Sequence, residues 1–299
     1  MSPDVFRENT PEWGWLIVAY FFLGGVAAGA YFSGALLELF GDPDDRPAIR
    51  VAHWLAFPLL AVCGILLILD LHRPERFFHM LIQSEQPPLP MFKWWSPMSI
   101  GSWALLLFSA VAFVSFLDAF AETSGRRAYV HRGLFGVLWA LLGMLLGFFF
   151  ASYTGVLLAT TNFPVWADSP WIPVLFLASA VSTGLATLLL LFPLTRGRPL
   201  PTWHKLENAD RYAMGIELLL VLVFVATLGV LALPFATSIP GALWLWGGVV
   251  LIGLLVPLAL HLRPRLPGAG PAVVASVLSL VGGLILRYVV VMVPQGLFH

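Results

Sequence analysis

The chain has little of the chemistry on which soluble and metal-rich proteins depend. Its single cysteine among 299 residues, Cys63, excludes a disulfide framework, a cysteine-rich zinc site and an iron–sulfur cluster held by this chain alone. Only 11% of the residues are charged, against about 25% in soluble domains, and the formal net charge is zero. A neutral chain has no electrostatic attraction for nucleic acid, so we expect no nucleic-acid partner.

Apolar residues make up 59% of the chain, and the mean hydropathy is +0.88, which is typical of an integral membrane protein. A helical crossing needs roughly 20 mostly apolar residues. The sequence therefore predicts an all-α polytopic bundle in a single membrane domain, residues 1–299, surrounded by lipid. The eight predicted spans are 13–40, 50–71, 96–121, 131–160, 171–193, 211–234, 241–262 and 271–294.

The basic residues predict how the bundle is oriented. The segments that would join the spans on one side hold eleven Lys and Arg residues, and those on the other side, with both tails, hold four. Because basic loops stay cytoplasmic, we expect a bacterial inner-membrane protein with both termini in the periplasm. The first dozen residues lack the pattern of a signal peptide, so the first span is expected to be retained. The longest periplasmic loop, 72–95, is a natural docking surface.

Polar groups near the second and third spans form the first candidate site. The segment 70–79 reads DLHRPERFFH, in which Pro74 ends the helix and Asp70 and Arg73 lie within two turns of each other. Two interpretations stay open: an interfacial arginine with a helix-end salt bridge, or an acid paired with arginine in a pocket for a lipid-soluble ligand. Ser99, at the start of the third span, is expected at the same depth.

A second polar cluster closes the fourth span. The segment 152–166 reads SYTGVLLATTNFPVW, and Tyr153 is expected near the depth of Asp70. Its phenol is either a residue of the interfacial aromatic belt or a hydrogen-bond partner for a quinone carbonyl.

These segments resemble those of the polysulfide reductase membrane-subunit family, also called NrfD-like. Segments 152–166 and 70–77 resemble two signatures of that family, and segment 20–29, YFFLGGVAAG, resembles its first helix, which is rich in small residues. The resemblance covers all eight spans in number and order, with specific matching confined to roughly the first 185 residues.

The resemblance implies the quinone-reactive membrane subunit of a respiratory oxidoreductase, which exchanges electrons between menaquinone or ubiquinone and a partner. The implied partners are a ferredoxin-like four-cluster iron–sulfur subunit, docked on loop 72–95, and in many members a molybdopterin subunit. The implied pocket contains Tyr153, the Asp70, Arg73 and Arg76 signature, and a first-helix group, for which Tyr20 replaces the histidine of some members. As quinol oxidation releases two protons, Asp70 and Tyr153 are the predicted catalytic pair.

The same interpretation predicts that the chain itself carries neither haem nor metal. A haem would need His53 and His261, at the cytoplasmic ends of two spans, to meet. Four ionisable residues are candidates for a proton path: Glu217 and Arg287 inside spans, and Glu38 and Asp118 near cytoplasmic helix ends, where helix-end charges are the favoured explanation. The alternative function is a transporter or lipid-handling protein whose internal charges line a solute path.

Overall fold

The computed structural model describes residues 13–71, 73–83, 89–125, 130–131, 133–194, 199–232, 238, 241–262 and 270–298, with residues 297 and 298 described by their backbone alone. Regular structure in this part of the chain is helical, apart from one isolated bridge between Ile82 and Pro90. The long helices are α1 Trp15–Phe40, α2 Arg46–Asp70, α3 Pro97–Thr123, α4 Gly133–Ala159, α5 Ile172–Leu191, α6 Leu200–Thr227, α7 Ala242–Leu262 and α8 Gly270–Phe298. The first part of α7, Ala242–Leu255, is a π-helix, and Val256–Leu262 is α-helical. Short 3₁₀ turns cover Pro43–Asp45, Pro74–Met80, Phe192–Leu194 and Gly229–Ala232.

The predicted fold class is confirmed: the chain is a polytopic all-α membrane protein. Within the described residues, seven helices are long and apolar enough to cross a membrane. The remaining predicted span, 211–234, coincides with α6, which falls outside that group because its first half is polar. This helix begins at Leu200, eleven residues before the predicted boundary, and the acids Glu207 and Asp210 precede its apolar half. Because the span is predicted from its apolar residues alone, the prediction leaves out the polar first half of this helix.

Local signals explain where the helices begin and end. Pro97 occupies the first turn of α3, and the preceding Ser96 accepts a hydrogen bond from the backbone N–H of Ser99 at 3.4 Å. Proline suits a helix N-terminus because its missing N–H would have no intrahelical partner there. The helix α2 ends at Asp70, shortly before Pro74. These two boundaries bring the end of α2 and the start of α3 to the same end of the bundle.

The helices pack as two groups of four, α1–α4 and α5–α8, which meet where α1 and α4 contact α5 and where α1 contacts α8. The helices α1 and α5 are the most deeply buried of the candidate spans. Gly29 of α1 lies against the backbone of Ala180 in α5, and a Cβ atom at this glycine would overlap the Ala180 carbonyl group. Small residues therefore allow the two central helices to approach closely, as they do in many membrane bundles.

The two ends of the bundle differ in their chemistry. The cavity end contains the start of α1, the end of α2 and the end of α8, where the backbone of Trp13 and the side chain of Gln295 form two hydrogen bonds of 3.0 and 3.1 Å. The ion-pair end contains the connection from α1 to α2 and the start of α6. There Lys205 donates to Asp42 at 2.6 Å and to Asp45 at 2.7 Å, and these hydrogen bonds raise the pKa of Lys205.

Candidate functional site

A cavity of about 360 Å³ opens at the cavity end, between α1, α2, α3, α4 and the 3₁₀ turn that follows α2. Its wall is mostly aliphatic and aromatic. The polar side chains on the wall are the indole of Trp13, Tyr20, Asp70, Ser102, Ser109 and Tyr153. Binding sites for small molecules commonly measure about 300–1,000 Å³ and combine an apolar wall with a few polar groups. The cavity therefore has the size and chemistry of a site for an apolar ring that carries polar substituents.

Tyr153 lies on α4 and is 5% exposed. Its hydroxyl group donates a hydrogen bond of 2.5 Å to the backbone carbonyl of Pro97 in the first turn of α3. Gly101 of α3 faces the ring, and a Cβ atom there would overlap the phenol. The glycine makes the space that Tyr153 occupies, and the Pro97 carbonyl fixes the direction of its proton. The hydroxyl oxygen keeps lone pairs that can accept a hydrogen bond from a ligand.

Tyr20 of α1 lies on the same cavity wall and is 3% exposed. Its ring makes an edge contact with Phe150 of α4 at a centroid separation of 6.2 Å and a tilted contact with Phe21 at 5.4 Å. The structure places its ring inside the bundle, where it shares a cavity with Tyr153.

Asp70 is the last residue of α2 and lines the cavity from an exposed position. Arg73 and Arg76, from the same signature, are also exposed but are not among the residues that line the cavity. The 3₁₀ turn instead contributes Phe77 and Met80 to the wall. The structure thus brings the predicted carboxylate to both tyrosines and leaves the two guanidinium groups at the surface of the same end.

Ser99 is buried beside the cavity and is not among its lining residues. Its hydroxyl accepts a hydrogen bond of 3.0 Å from the backbone N–H of Lys93 and so fastens the segment before α3. The serines that reach the cavity are Ser102 and Ser109. Sequence reasoning missed both, although a signal was present: the lining residues of α3 recur every three or four positions, which places them on one helix face.

A second polar group lies inside the other half of the bundle. Glu217 of α6 and Arg287 of α8 are 2% and 1% exposed. The Ser182 hydroxyl donates to Glu217, the Arg287 guanidinium donates to Ser179, and Ser179 in turn hydrogen-bonds Glu217. Ser179 therefore joins the buried acid to the buried base. Arg287 also donates to the carbonyl of Gly283 at 3.1 Å.

Glu38 and Asp118 lie together at the ion-pair end, and a single histidine contacts both. The Oε2 atom of Glu38 is 2.9 Å from Nδ1 of His131. The Asp118 carboxylate accepts from the backbone N–H groups of Val130 and His131 at 3.3 and 3.1 Å. These acids belong to a cluster of their own, separate from the contacts that join Glu217 to Arg287.

The two histidines that a haem would have required have different partners. His53 stacks on His131 with ring centroids 4.5 Å apart. His261 of α7 lies 3.3 Å from the buried carboxylate of Asp210 on α6. His72 and His299 lie outside the described residues. Positions 84–88 of the predicted docking loop also lie outside them.

The fold and the cavity together define a class: a polytopic helical membrane protein with an apolar cavity of about 360 Å³ at one end, whose wall presents two phenols and a carboxylate. Comparison with known sequences gives the family. The profile of the family described as "Polysulphide reductase, NrfD" matches residues 4–298, so the chain belongs to the polysulphide reductase NrfD family. The resemblance seen in the sequence is thereby confirmed.

Individual relatives match over almost their whole length. This protein is similar to a polysulfide reductase subunit of Wolinella succinogenes, with 28% identity over 99% of its own length and 98% of the relative. It is also similar to "Protein NrfD" of Escherichia coli, with 27% identity over 98% of each protein. "Protein NrfD homolog" of Haemophilus influenzae is 25% identical over 98% of this protein and 97% of the relative.

Proposed function

We propose that this chain is the membrane subunit of a respiratory oxidoreductase and exchanges electrons between the quinone pool and an iron–sulfur partner. One observation carries the proposal: Tyr20, Asp70 and Tyr153, from three different helices, line one apolar cavity of about 360 Å³. Membership in the polysulphide reductase NrfD family supports it, as does the relative named as part of a polysulfide reductase. The quinone is menaquinone or ubiquinone and acts as the substrate.

The three polar groups match the needs of the reaction. Oxidation of a quinol releases two electrons and two protons, so its site needs hydrogen-bond partners for the hydroxyl groups and an acceptor for the protons. The hydroxyl proton of Tyr153 is already used in the hydrogen bond to the Pro97 carbonyl, so the hydroxyl oxygen acts as the acceptor for one quinol hydroxyl. Tyr20 supplies a hydrogen-bond donor for the opposite ring oxygen. Asp70 accepts protons and, because it is exposed, passes them to water.

The electrons leave through a partner at the cavity end. The only cysteine of the chain, Cys63, is buried and cannot hold an iron–sulfur cluster by itself. In our proposal a ferredoxin-like four-cluster subunit docks on the described parts of loop 72–95, and a molybdopterin subunit completes the complex. Exposed aromatic side chains mark this surface, since Trp94 and Trp95 are 71% and 64% exposed. Aromatic residues are enriched at protein interfaces.

The excess of basic residues in the segments opposite loop 72–95 supports an inner-membrane location with the cavity end and both termini in the periplasm.

The buried contacts between Glu217 and Arg287 support a further part of the proposal, a proton path through the second half of the bundle. The pair Asp210 and His261 lies on α6 and α7 and extends this polar group toward the ion-pair end. Quinol oxidation at the cavity end would then be coupled to proton movement.

Binding of a naphthoquinone tests the site without a partner protein. We would titrate the detergent-solubilised chain with menadione and follow tryptophan fluorescence, which a quinone quenches when it binds near an indole such as Trp13 of the cavity wall. Saturable quenching in the unmodified chain and in Tyr288→Phe, with weaker binding in Tyr153→Phe, is expected. Tyr288 is the matched control because it stacks on Trp15 and is not among the lining residues. Equal affinities in all three proteins would refute the site, and uptake of a labelled solute by vesicles would favour a transporter.

A further inference from the structure

Three buried side-chain atoms converge at the ion-pair end, far from the quinone cavity along the helices. They are Oε2 of Glu38, Nε2 of His53 and Nδ1 of His131, and all lie within 4.8 Å of one another. The Glu38 oxygen is 2.9 Å from the His131 nitrogen and 3.9 Å from the His53 nitrogen. Each of the three atoms is shielded from solvent and makes no hydrogen bond to the described residues.

The absence of a hydrogen bond at 2.9 Å is informative. Nδ1 of His131 is close enough to Oε2 of Glu38 to donate, but a proton in the plane of the ring would not point at that oxygen. Buried polar atoms without partners are unfavourable, and groups of them in a native structure call for an explanation such as a bound ion. Here three such atoms surround one point.

In Glu38 and His131 the remaining polar atom of the side chain is already held by another group. Oε1 of Glu38 accepts from Arg46 at 3.1 Å, and Arg46 also binds Glu122. The second ring nitrogen of His131, Nε2, lies 3.1 Å from the Ser115 hydroxyl. Metal-binding histidines and carboxylates characteristically use their second polar atom in this way, because the outer contact fixes the orientation of the ligand.

Ser115 is itself positioned by two aromatic side chains. The Tyr31 hydroxyl lies 2.8 Å from the Ser115 oxygen, and the Trp139 indole donates to that oxygen at 3.1 Å. The orientation of the His131 ring is therefore fixed by contacts from α1, α3 and α4.

The charges around this point also favour a cation. Among the described residues in direct contact, three carboxylates, Glu38, Asp118 and Glu122, are balanced by a single guanidinium, that of Arg46. The cluster thus has an excess of two negative charges when both histidines are neutral, and a divalent cation would neutralise it. Excess negative charge away from bulk water is unfavourable unless it is compensated.

We propose that Glu38, His53 and His131 bind a divalent transition-metal ion of the zinc type. Zinc takes two histidines and one glutamate as protein ligands in known sites and leaves a fourth position open. With zinc–ligand distances of about 2.0–2.1 Å and tetrahedral angles, neighbouring ligand atoms lie about 3.3 Å apart, between the 2.9 and 3.9 Å seen here. A separate cavity of about 330 Å³, lined by Glu38, Arg46 and His131, gives access from the surface.

The ion would fasten the end of α1, the first half of α2 and the segment before α4 to one another. This assignment replaces the expectation from the sequence that the chain holds no metal. The sequence hid the site because His53 lies in an apolar helix and His131 in a connecting segment, so no ligand spacing typical of a zinc motif is present.

Metal content tests the proposal directly. The full chain, purified in detergent without a histidine tag, is dialysed against EDTA, incubated with Zn²⁺ and freed of excess ion before zinc is measured by mass spectrometry. About one zinc per chain is expected, with loss of this zinc in His53→Gln and in His131→Gln. The control is His261→Gln, since His261 is a buried histidine that also lies beside an acid but outside the cluster. Unchanged zinc in the two cluster variants, or equal loss in the control, would overturn the proposal.

X-ray absorption on the unmodified protein tests the proposal without any variant, so its result does not depend on whether the variants fold. The proposal predicts a zinc environment with two imidazole nitrogens and a carboxylate oxygen, and Co²⁺ in place of zinc should give the intense visible bands of a tetrahedral site. A zinc spectrum that shows only water oxygens, or no stoichiometric zinc at all, would contradict the assignment.

Discussion

The hydroxyl group of Tyr153 on α4 donates its proton to the carbonyl oxygen of Pro97 at the start of α3, at 2.5 Å. This contact decides what the phenol offers to a ligand. A tyrosine that had its proton free would donate to a quinone carbonyl, whereas this one presents lone pairs that suit a quinol hydroxyl. Tyr153 and Asp70 line one apolar cavity. In our proposal the first accepts a hydrogen bond from the quinol and the second accepts its protons.

Replacement of Tyr153 by phenylalanine should weaken quinol binding and leave the bundle intact. The ring still fills the space next to Gly101, but the oxygen that accepts from the quinol is lost. A hydrogen bond of this kind contributes about 1 kcal/mol, so we expect roughly a fivefold rise in KM for quinol oxidation by the purified complex. The control Tyr288→Phe should leave KM unchanged. A Tyr153→Phe complex with normal KM and turnover would remove Tyr153 from the site.

Replacement of Asp70 by asparagine should lower turnover rather than binding. An amide keeps the size and polarity of the side chain but cannot accept a proton at neutral pH. General-base groups accelerate their step by about 10²–10⁴-fold, and we expect a fall in kcat of about 100-fold or more. The matched control is Asp44→Asn, an exposed acid at the opposite end of the bundle. If the Asp70→Asn complex assembles and oxidises quinol at the normal rate, another group accepts the protons.

The contact between Gly101 and Tyr153 predicts that a single methyl group added at Gly101 weakens ligand binding in the cavity. In Gly101→Ala the new Cβ atom would overlap the Tyr153 phenol, so the ring has to move away from Pro97 and into the cavity. Menadione binding should therefore weaken about tenfold or more, because the cavity becomes smaller and the hydroxyl group of Tyr153 no longer points in its original direction. Gly64→Ala is a useful comparison, because it lines the same cavity and an added Cβ there meets no atom within 4 Å. Equal binding by both variants would show that the position of Tyr153 is unimportant.

The buried pair Glu217 and Arg287 predicts strong coupling in stability. Arg287→Met would leave the Glu217 carboxylate buried without its compensating charge, and losses of this kind amount to about 3–5 kcal/mol. The double variant Arg287→Met/Glu217→Gln should recover much of this loss, because neither charge is then stranded. Thermal unfolding in detergent measures the effect, with Arg211→Met as the control on α6. Additive effects of the two substitutions would mean that Ser179 does not couple them.

The fold could be predicted from composition because a membrane span has one strong requirement, a long apolar run, which each candidate helix displays. The exception is α6, in which charged residues interrupt the run although the helix continues. Contacts at its polar start, such as those of Lys205 with Asp42 and Asp45, join residues about 160 positions apart in the chain and leave no local signal in the sequence.

The candidate site was only partly predictable for a similar reason. Asp70 and Tyr153 lie within the signature segments, and their depth follows from the helix boundaries, so the sequence could place them at one end. The sequence could not tell which polar residues turn toward the cavity: Ser102 does and Ser99 does not. That choice depends on the rotation of α3, which is set by packing against α2 and α4.

A structure of the complete complex with a bound quinone analogue tests the central claim most directly. We predict that the head group lies in the cavity at the end of α2, with one ring oxygen within hydrogen-bond distance of Tyr153 and the other near Tyr20, and with Asp70 at the opening. A head group bound elsewhere, with this cavity filled by lipid tails, would contradict the proposed mechanism.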